Sequence, residues 1–506
     1  MKKLIALILA LALATSLIVV FAGCNNNLGD FEIPEGGYDG SKVTVKFYHI
    51  MGQEYRTTLD YYVAEFNKLY PNITIEHSAE GKYDDVRNKI KTELTGSDYP
   101  NMAYCYPDHV ALYNQFGKVV TLDSLIDSDI EITRADGSKE RLGFTAEQKA
   151  DFYETFWNEG KQFEDGKMYT LPFAKSTEVL FYNKDKFSEW GLELPDHWFP
   201  TNGQTGLDAE HTSMEYVCAR LKQLDPTCTP FGYDSESNWF ITLMEQAGYP
   251  YTSLDGNHYQ FNTPEAQNLM KKLREWYQAG YFTTGTLYNT GSDSGYTSAL
   301  FTGKNAKTRS YMTIGSSAGA GNQRPDKDSN TGKYPFDVGI TTIPQMDPNN
   351  AVAISQGPNV CLFNRENPQE VVASWLFLKF LLTNHGFQYE FTNIGGYVPP
   401  IKSLSDEKLI DTIPAVKLYI QNMKNANGGD RISYLSQKVC LGMAEDGRNY
   451  KSFFTSPAFP GSSTARDQVG RLLVACISNK GTDVDAIIRT AFVNAINECE
   501  YGNAAA

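Results

Sequence analysis

Val43, Val45 and Phe47 alternate with Thr44, Lys46 and Tyr48, the two-residue period of a half-buried strand. Leu59, Tyr62, Val63, Phe66 and Leu69 then recur at helical spacing, and Pro71 stops that helix. Ile73 and Ile75 alternate again. Strand, helix and strand joined by short connections predict a parallel βαβ unit. A further helix fits Asp84–Leu94, and the apolar run Met102–Cys105 predicts a short buried strand, so the first part of the body has an α/β rhythm. Two strand-like runs, Met168–Phe173 and Glu178–Asp185, flank a polar kink, the form expected of a segment that passes between two lobes. Thr263-Pro264-Glu265 is a helix start, with Thr263 as cap and Pro264 in the first turn. Leu269, Leu273, Trp276 and Tyr277 make its buried stripe. Pro368 opens another helix with Val371, Val372, Trp375, Leu376, Leu378 and Leu382 as apolar positions, and 469–477 and 484–496 predict two terminal helices. The Gly/Pro-rich stretch 194–211, the Gly/Ser/Asn-rich stretches 285–295 and 315–332, and the turn-rich 395–400 are loops. No fixed-period repeat occurs.

The N-terminus has a different pattern. Lys2 and Lys3 precede Leu4–Phe21, an apolar run broken by Thr15 and Ser16, and Ala22-Gly23-Cys24 leads into Asn25-Asn26-Asn27. A basic head, an apolar body and small residues before a cut site predict a secretory signal over 1–23. The cysteine at the cut points to a lipoprotein, with Cys24 carrying lipid at a membrane surface. An uncleaved spanning anchor is the alternative that length leaves open. The Asn/Gly/Glu/Pro-rich residues 24–41 are expected to be a flexible tether.

At 506 residues the chain is too long for one ordinary domain, and 41% hydrophobic with 21% charged residues suits a folded globular protein. The formal net charge is −15, and loss of Lys2 and Lys3 with the signal takes it to −17. That acidity disfavours nucleic acid and anionic lipid as partners. With Cys24 set aside, Cys105, Cys218, Cys228, Cys361, Cys440, Cys476 and Cys499 form an odd set, so at least one stays unpaired within the chain. Most have apolar neighbours and suit buried thiols; Cys218 and Cys228 could bridge a short loop. The seven histidines show no metal spacing, and Gly-x-Ser-x-Gly, phosphate-loop and Cys-x-x-Cys motifs are absent. Asp326, Asp328 and Asn330 alternate as in a calcium loop, but the glycine falls seventh and Asp337 twelfth, which favours a solvated loop. No cofactor and no metal are expected.

Tyrosine and phenylalanine are abundant, at 31 and 28. A sugar's C–H face stacks on such rings while its hydroxyls take polar partners. Aromatics after strand ends or in Gly/Ser loops are the candidates: Tyr48 with His49, Tyr104 to Asp108, Asn238-Trp239 and Tyr397.

Several segments together resemble the extracellular solute-binding proteins that serve ABC-type sugar importers. They are the lipid-attachment signal, Tyr70-Pro71-Asn72-Ile73-Thr74-Ile75, Leu171-Pro172-Phe173-Ala174 with Val179–Asp185, Gly191–Pro195, Phe301-Thr302-Gly303-Lys304-Asn305-Ala306, Gly357-Pro358-Asn359-Val360, the helix over 373–383, and Gly396-Tyr397-Val398-Pro399. The resemblance spans Lys42 to about Tyr501. It implies an α/β, two-lobed periplasmic-binding-protein-like fold of type II, with hinged lobes and a ligand cleft between them. Lobe 1 is expected over 42–174 and 309–356, lobe 2 over 175–308 and 357–506, with the C-terminal helices on either. Added length at 133–143, 196–212 and 318–335 is expected to reshape the pocket. The expected ligand contacts are Tyr48, His49 and Gln53 after the first strand, Tyr106 and Asp108 after the third, and Ser176 and Glu178 in the crossing segment. To these are added Trp239 as a stacking platform, Ser316 and Ser317 in a Gly/Ser loop, Gly357 where backbone approaches ligand, and Tyr397.

The resemblance implies a non-enzymatic carbohydrate-binding component, a monomer lipid-anchored at the extracellular face of the cell membrane, that partners the importer's permease. Two alternatives stand beside it. A secreted glycoside hydrolase would need two carboxylates across a cleft. The same fold could also hold a non-sugar solute, of which an anion is disfavoured by the many acidic groups and few clustered arginines.

Overall fold

The alternation of Val43, Val45 and Phe47 becomes a strand with those three side chains buried in the computed structural model, which describes residues 31–288, 296–304, 309–426 and 431–504. The expected signal and Cys24 lie outside the described residues. In chain order the strands are β1 (Val43–His49), β2 (Ile73–Ala79), β3 (Met102–Cys105), β4 (Glu131–Thr133), β5 (Lys139–Arg141), β6 (Leu171–Pro172), β7 (Ser176–Asn183), β8 (Phe231–Tyr233), β9 (Phe282–Thr284), β10 (Met312–Ser316), β11 (Val338–Thr341), β12 (Val352–Gln356), β13 (Asn359–Leu362) and β14 (Ser452–Phe454).

Two sheets divide the body. The smaller has the order β2-β1-β3-β13-β6, with β1 parallel to both neighbours and β13 antiparallel to β3 and β6. Helices Gln53–Leu69, Pro368–Thr383 and His385–Ile394 cover it and share a core with Phe47, Phe66, Tyr104, Trp375 and Phe387. Trp375 adds a large buried surface and still satisfies its indole by donating to the Leu142 carbonyl at 2.8 Å. The larger sheet has the order β14-β12-β7-β10-β8-β9, with β11 also on β7. Its core holds Phe181, Trp198, Tyr233, Trp239, Phe240 and Met312, and the terminal helices Ser462–Ser478 and Val484–Ala504 contribute Leu472, Leu473, Ile488 and Phe492.

The α/β two-lobed fold is the expected one, but the lobe boundaries differ from those read in the sequence. Residues 312–356 pair in the larger sheet, whereas β13 and the helix Pro368–Thr383 belong to the smaller. The chain passes from β6 to β7 at 173–175 and returns from β12 to β13 at 357–358. Strand periodicity reports burial, not which of two sheets a strand joins, so the pattern alone does not separate a return at 309 from the observed one at 357. Part of the expected tether is also docked. Ser124 donates to the Phe31 carbonyl, Gln369 to that of Gly37 and Asn72 to that of Gly40, and Tyr38 packs edge-on against Tyr70. The polar excursion at 133–143 is the β4–β5 hairpin and its flank.

The two passages lie against each other. The Phe173 amide donates to the Pro358 carbonyl at 2.9 Å, and beside them Lys175 exchanges backbone hydrogen bonds with Val398. Gly357 has φ +88°, and a Cβ there would sit 2.2 Å from the Ala174 carbonyl oxygen, so only glycine fits this crossing. Beneath it Lys175 is 1% exposed and pairs at 2.6 Å with Glu159, itself 2% exposed. Ser355 also donates to Glu159, and Asn359 Oδ1 lies 3.3 Å from the Lys175 ammonium. A buried charge pair supported by hydrogen bonds from both sheets thus sits where the lobes join.

Candidate functional site

Parallel strands leave their C-terminal ends free, and the loops after them are where α/β sheets build sites. Here Ile50 follows the end of β1, and Tyr106 follows the end of β3 and precedes the helix Pro107–Asn114. Opposite them stand β7, the end of β8 and the end of β10. Between the two lobes lies a cleft enclosing about 1300 Å³, part of it open to solvent.

The lobe 1 wall is ringed by tyrosines. Tyr83 and Tyr106 pack with centroids 4.4 Å apart and rings tilted by 35°, and Tyr55 meets Tyr397 at 6.0 Å. The Tyr83 hydroxyl is buried without a hydrogen-bond partner. Burial pushes the Tyr106 phenol up to about 12 and those of Tyr83 and Tyr397 well above the usual range, so all three are neutral hydroxyls.

The lobe 2 wall is polar. Ser176, Glu178, Asp234, Ser235, Asn238, Ser316, Asn322, Gln323 and Gln356 line it, and Tyr296 stands at its edge. Pairing of Ser316 with Glu178 across β10 and β7 sets these two at the floor. Glu178 accepts from the Tyr233 hydroxyl; burial raises its carboxyl to about 7, against the pull of Tyr233, Asn238 and Arg466. Asp234 is raised to about 6, chiefly by burial. Its Oδ1 accepts from the Thr297 amide at 2.7 Å and the Thr297 hydroxyl at 2.8 Å. Among the described lining residues Lys82 is the one cation; Arg466 lies just behind, over the Tyr106 ring at 5.7 Å and donating to Asn238.

Of the residues read from the sequence, Tyr106, Ser176, Glu178, Ser316, Gly357 and Tyr397 come together in this cleft. Asp108 lines a crevice next to it with Tyr106 and Arg466. The others lie elsewhere. Tyr48 turns towards the helix Tyr83–Glu93, where the Lys89 ammonium sits 4.2 Å from its ring centre. His49 is buried, 2.9 Å from His77, which in turn reaches Asp60 at 2.8 Å; burial holds its imidazole down to about 3. Gln53 is exposed and accepts from Arg56. Trp239 is not a platform for ligand but a fully buried core residue, stacked on Tyr233 at 4.7 Å. Ser317 is buried under Gly396, where a Cβ would meet the Ser317 carbonyl oxygen at 1.7 Å. Gly357 serves a close approach of backbone to backbone as well as lining the cleft.

Tyr55, Tyr83, Asp234, Tyr296, Asn322 and Gln323 were missed. Tyr55 and Tyr83 open helices directly after strands β1 and β2, a placement that could have marked them. Gln323 ends the 3-10 helix Ser317–Gln323, so the stretch 318–335 supplies lining residues to the cleft. The 196–212 stretch instead sends Trp198 into the lobe 2 core. Asp326 pairs with Lys304 at 3.0 Å and Asp328 caps its own turn, as expected of a solvated loop. The seven described cysteines are all buried free thiols.

Known proteins share this architecture. The chain is 19% identical over 449 residues to the multiple sugar-binding protein of Streptococcus mutans, covering 85% of this chain and 93% of that one. It is 24% identical over 375 residues to the sn-glycerol-3-phosphate-binding periplasmic protein of Escherichia coli, covering 72% and 75%. The sugar-binding protein MalE of Xanthomonas citri superposes with a TM-score of 0.63 at 14% identity, over 91% of this chain and 98% of that one. Residues 61–417 match the profile of the bacterial extracellular solute-binding proteins, and the chain belongs to that family.

Proposed function

We propose that the chain binds a sugar or oligosaccharide in the interlobe cleft and delivers it unaltered to the permease of an ABC importer, as a monomer held at the extracellular membrane face by lipid on Cys24. The observation that carries this reading is the pairing of a tyrosine wall with a wall of hydroxyl, amide and carboxyl acceptors. Rings take the C–H faces of a sugar and the acceptors take its hydroxyls. A guest touching both walls favours the closed arrangement by its extra contacts there. The names of the Streptococcus and Xanthomonas proteins agree with a sugar cargo. A phosphate-bearing guest, as named for the Escherichia coli relative, fits less well, because the acidic wall offers it repulsion and the described lining offers one lysine.

A hydrolase needs two carboxylates flanking the bond it cuts. Glu178 and Asp234 stand on the same wall, which supports binding without cleavage. Titration of the purified protein against an oligosaccharide panel, read by tryptophan fluorescence, is expected to give saturable binding with no new reducing ends. Released sugar would overturn the reading. Lipid on Cys24 is checked by labelling cells with a palmitate analogue, where Cys24→Ala is expected to abolish both label and membrane retention. Among the described residues no helix is long and apolar enough to cross a membrane.

A further inference from the structure

One part of the lobe 2 wall is left with unmet acceptors. Gln323 is only 3% exposed, lines the cleft, and has no partner for its Oε1. Its amide nitrogen faces Asp234 Oδ2 at 3.4 Å, a long contact that leaves this oxygen free to accept more. The other Asp234 oxygen is occupied by Thr297. Two acceptors of the cleft wall thus have capacity left among the described residues: Asp234 Oδ2, with its one long contact from Gln323, and Gln323 Oε1, with no donor.

The charges nearby do not complete them either. β10 and the helices Ser298–Thr302 and Ser317–Gln323, which surround Asp234, bring no charged side chain. Among the described residues, Glu236 acts on Asp234 and Asp234 on Glu178, so the nearest charged neighbours of Asp234 on this wall are acidic. Lys82 reaches only the rim, 5.9 Å from the centre of the Tyr296 ring. Arg466 donates to Asn238, while Ser463 and Asp467 are taken by Arg87. A buried carboxyl flanked by acids and faced by tyrosine rings suits a positive guest, through charge-assisted hydrogen bonds and the negative faces of the rings. A hydroxyl carries one proton and can serve one of the two acceptors; a protonated amine carries three and serves both.

We infer that the cargo is an amino-bearing sugar, whose ammonium group donates to Asp234 Oδ2 and Gln323 Oε1 beside the Tyr296 ring. The inference rests on the sugar-binding reading above and narrows its substrate class.

The test is calorimetric titration of the mature chain with matched pairs: glucosamine against glucose, galactosamine against galactose, and the β-1,4 glucosamine disaccharide against both its N-acetylated form and cellobiose. At least one amino sugar is expected to bind about 10-fold to 100-fold tighter than its neutral counterpart, the range of a hydrogen bond to a charged group. Asp234→Asn is expected to weaken the amino sugar about 10-fold more than its neutral counterpart, so that the preference is lost. Gln323→Met is expected to cut amino-sugar affinity severalfold without changing Tm. Equal or tighter binding of the neutral partners, which a vicinal pair of hydroxyls on the two acceptors would produce, overturns the inference while keeping the sugar reading. An Asp234→Asn loss that falls equally on both members of a pair overturns it too. Failure of every sugar, amino or neutral, would sink the sugar reading itself.

Discussion

The two walls of the cleft are built from different chemistry on different supports. Lobe 1 supplies rings at helix starts that follow parallel strands, with Tyr55, Tyr83 and Tyr106 in succession along the chain. Lobe 2 supplies acceptors from the middle of its sheet and from the 3-10 helix after β10. Stacking is tolerant of which sugar face arrives, whereas acceptors with fixed positions are not. Affinity common to many guests therefore belongs to lobe 1, and discrimination among them to lobe 2.

That division holds only while the walls face each other, so the largest effect is expected at the junction. Lys175→Met leaves Glu159 buried without its counter-charge and is expected to cost about 3–5 kcal/mol of stability, read by denaturant unfolding. A loss below about 1 kcal/mol would mean the pair does not hold the passages together. Next comes the contrast between walls. Tyr106→Ala is expected to weaken every guest by roughly tenfold with their order unchanged, since it removes a ring but no acceptor. Glu178→Gln is expected to reorder the guests. If Tyr106→Ala reorders them and Glu178→Gln does not, the assignment of roles is reversed.

A third test uses proton linkage on the lobe 2 floor. The Glu178 carboxyl is raised from 4.5 to about 7 in the folded chain. Between these values the folded state holds more protons than the unfolded, so stability falls as pH rises through the window. Melting of Glu178→Gln is expected to lose that part of the slope; an unchanged slope would place its origin elsewhere. The smallest effect is expected at a second, half-buried link between the lobes. There Arg87 of lobe 1 donates to Ser463 at 2.7 Å and reaches Asp467 of lobe 2 at 3.2 Å. Arg87→Ala is expected to change stability by about 1 kcal/mol or less and to speed ligand release severalfold in stopped-flow traces.

The α/β elements were legible because their signals are local. Val43 to Phe47 announces a strand, Thr263-Pro264 a helix start, and the Thr263 side chain indeed caps the Ala266 amide. Lobe membership was not local. Met312–Ser316 has the same apolar pattern whichever sheet receives it, and only pairing with Tyr182 to Glu178 decides. The cleft was half legible for the same reason. Tyr106, Ser176 and Glu178 follow or sit on readable strands, but β1 delivers Ile50 to the cleft and turns Tyr48 and His49 elsewhere, a difference of one or two residues in where a strand ends. Trp239 and Asn238 are adjacent in sequence, yet the helix Glu236–Ala247 sends one into the core and the other to the cleft.

The docking of residues 31–41 has a consequence for geography. Those residues meet the starts of β1, β2 and the helix Pro368–Thr383, at the back of lobe 1, while the cleft opens at the far ends of the same strands. Between Cys24 and Phe31 there remain seven steps of chain, with a full stretch of about 25 Å. With the acyl chains we propose, so short a leash keeps the rear of lobe 1 near the bilayer. Cargo would then reach a permease by the body rolling over on its mooring rather than by drifting down to it.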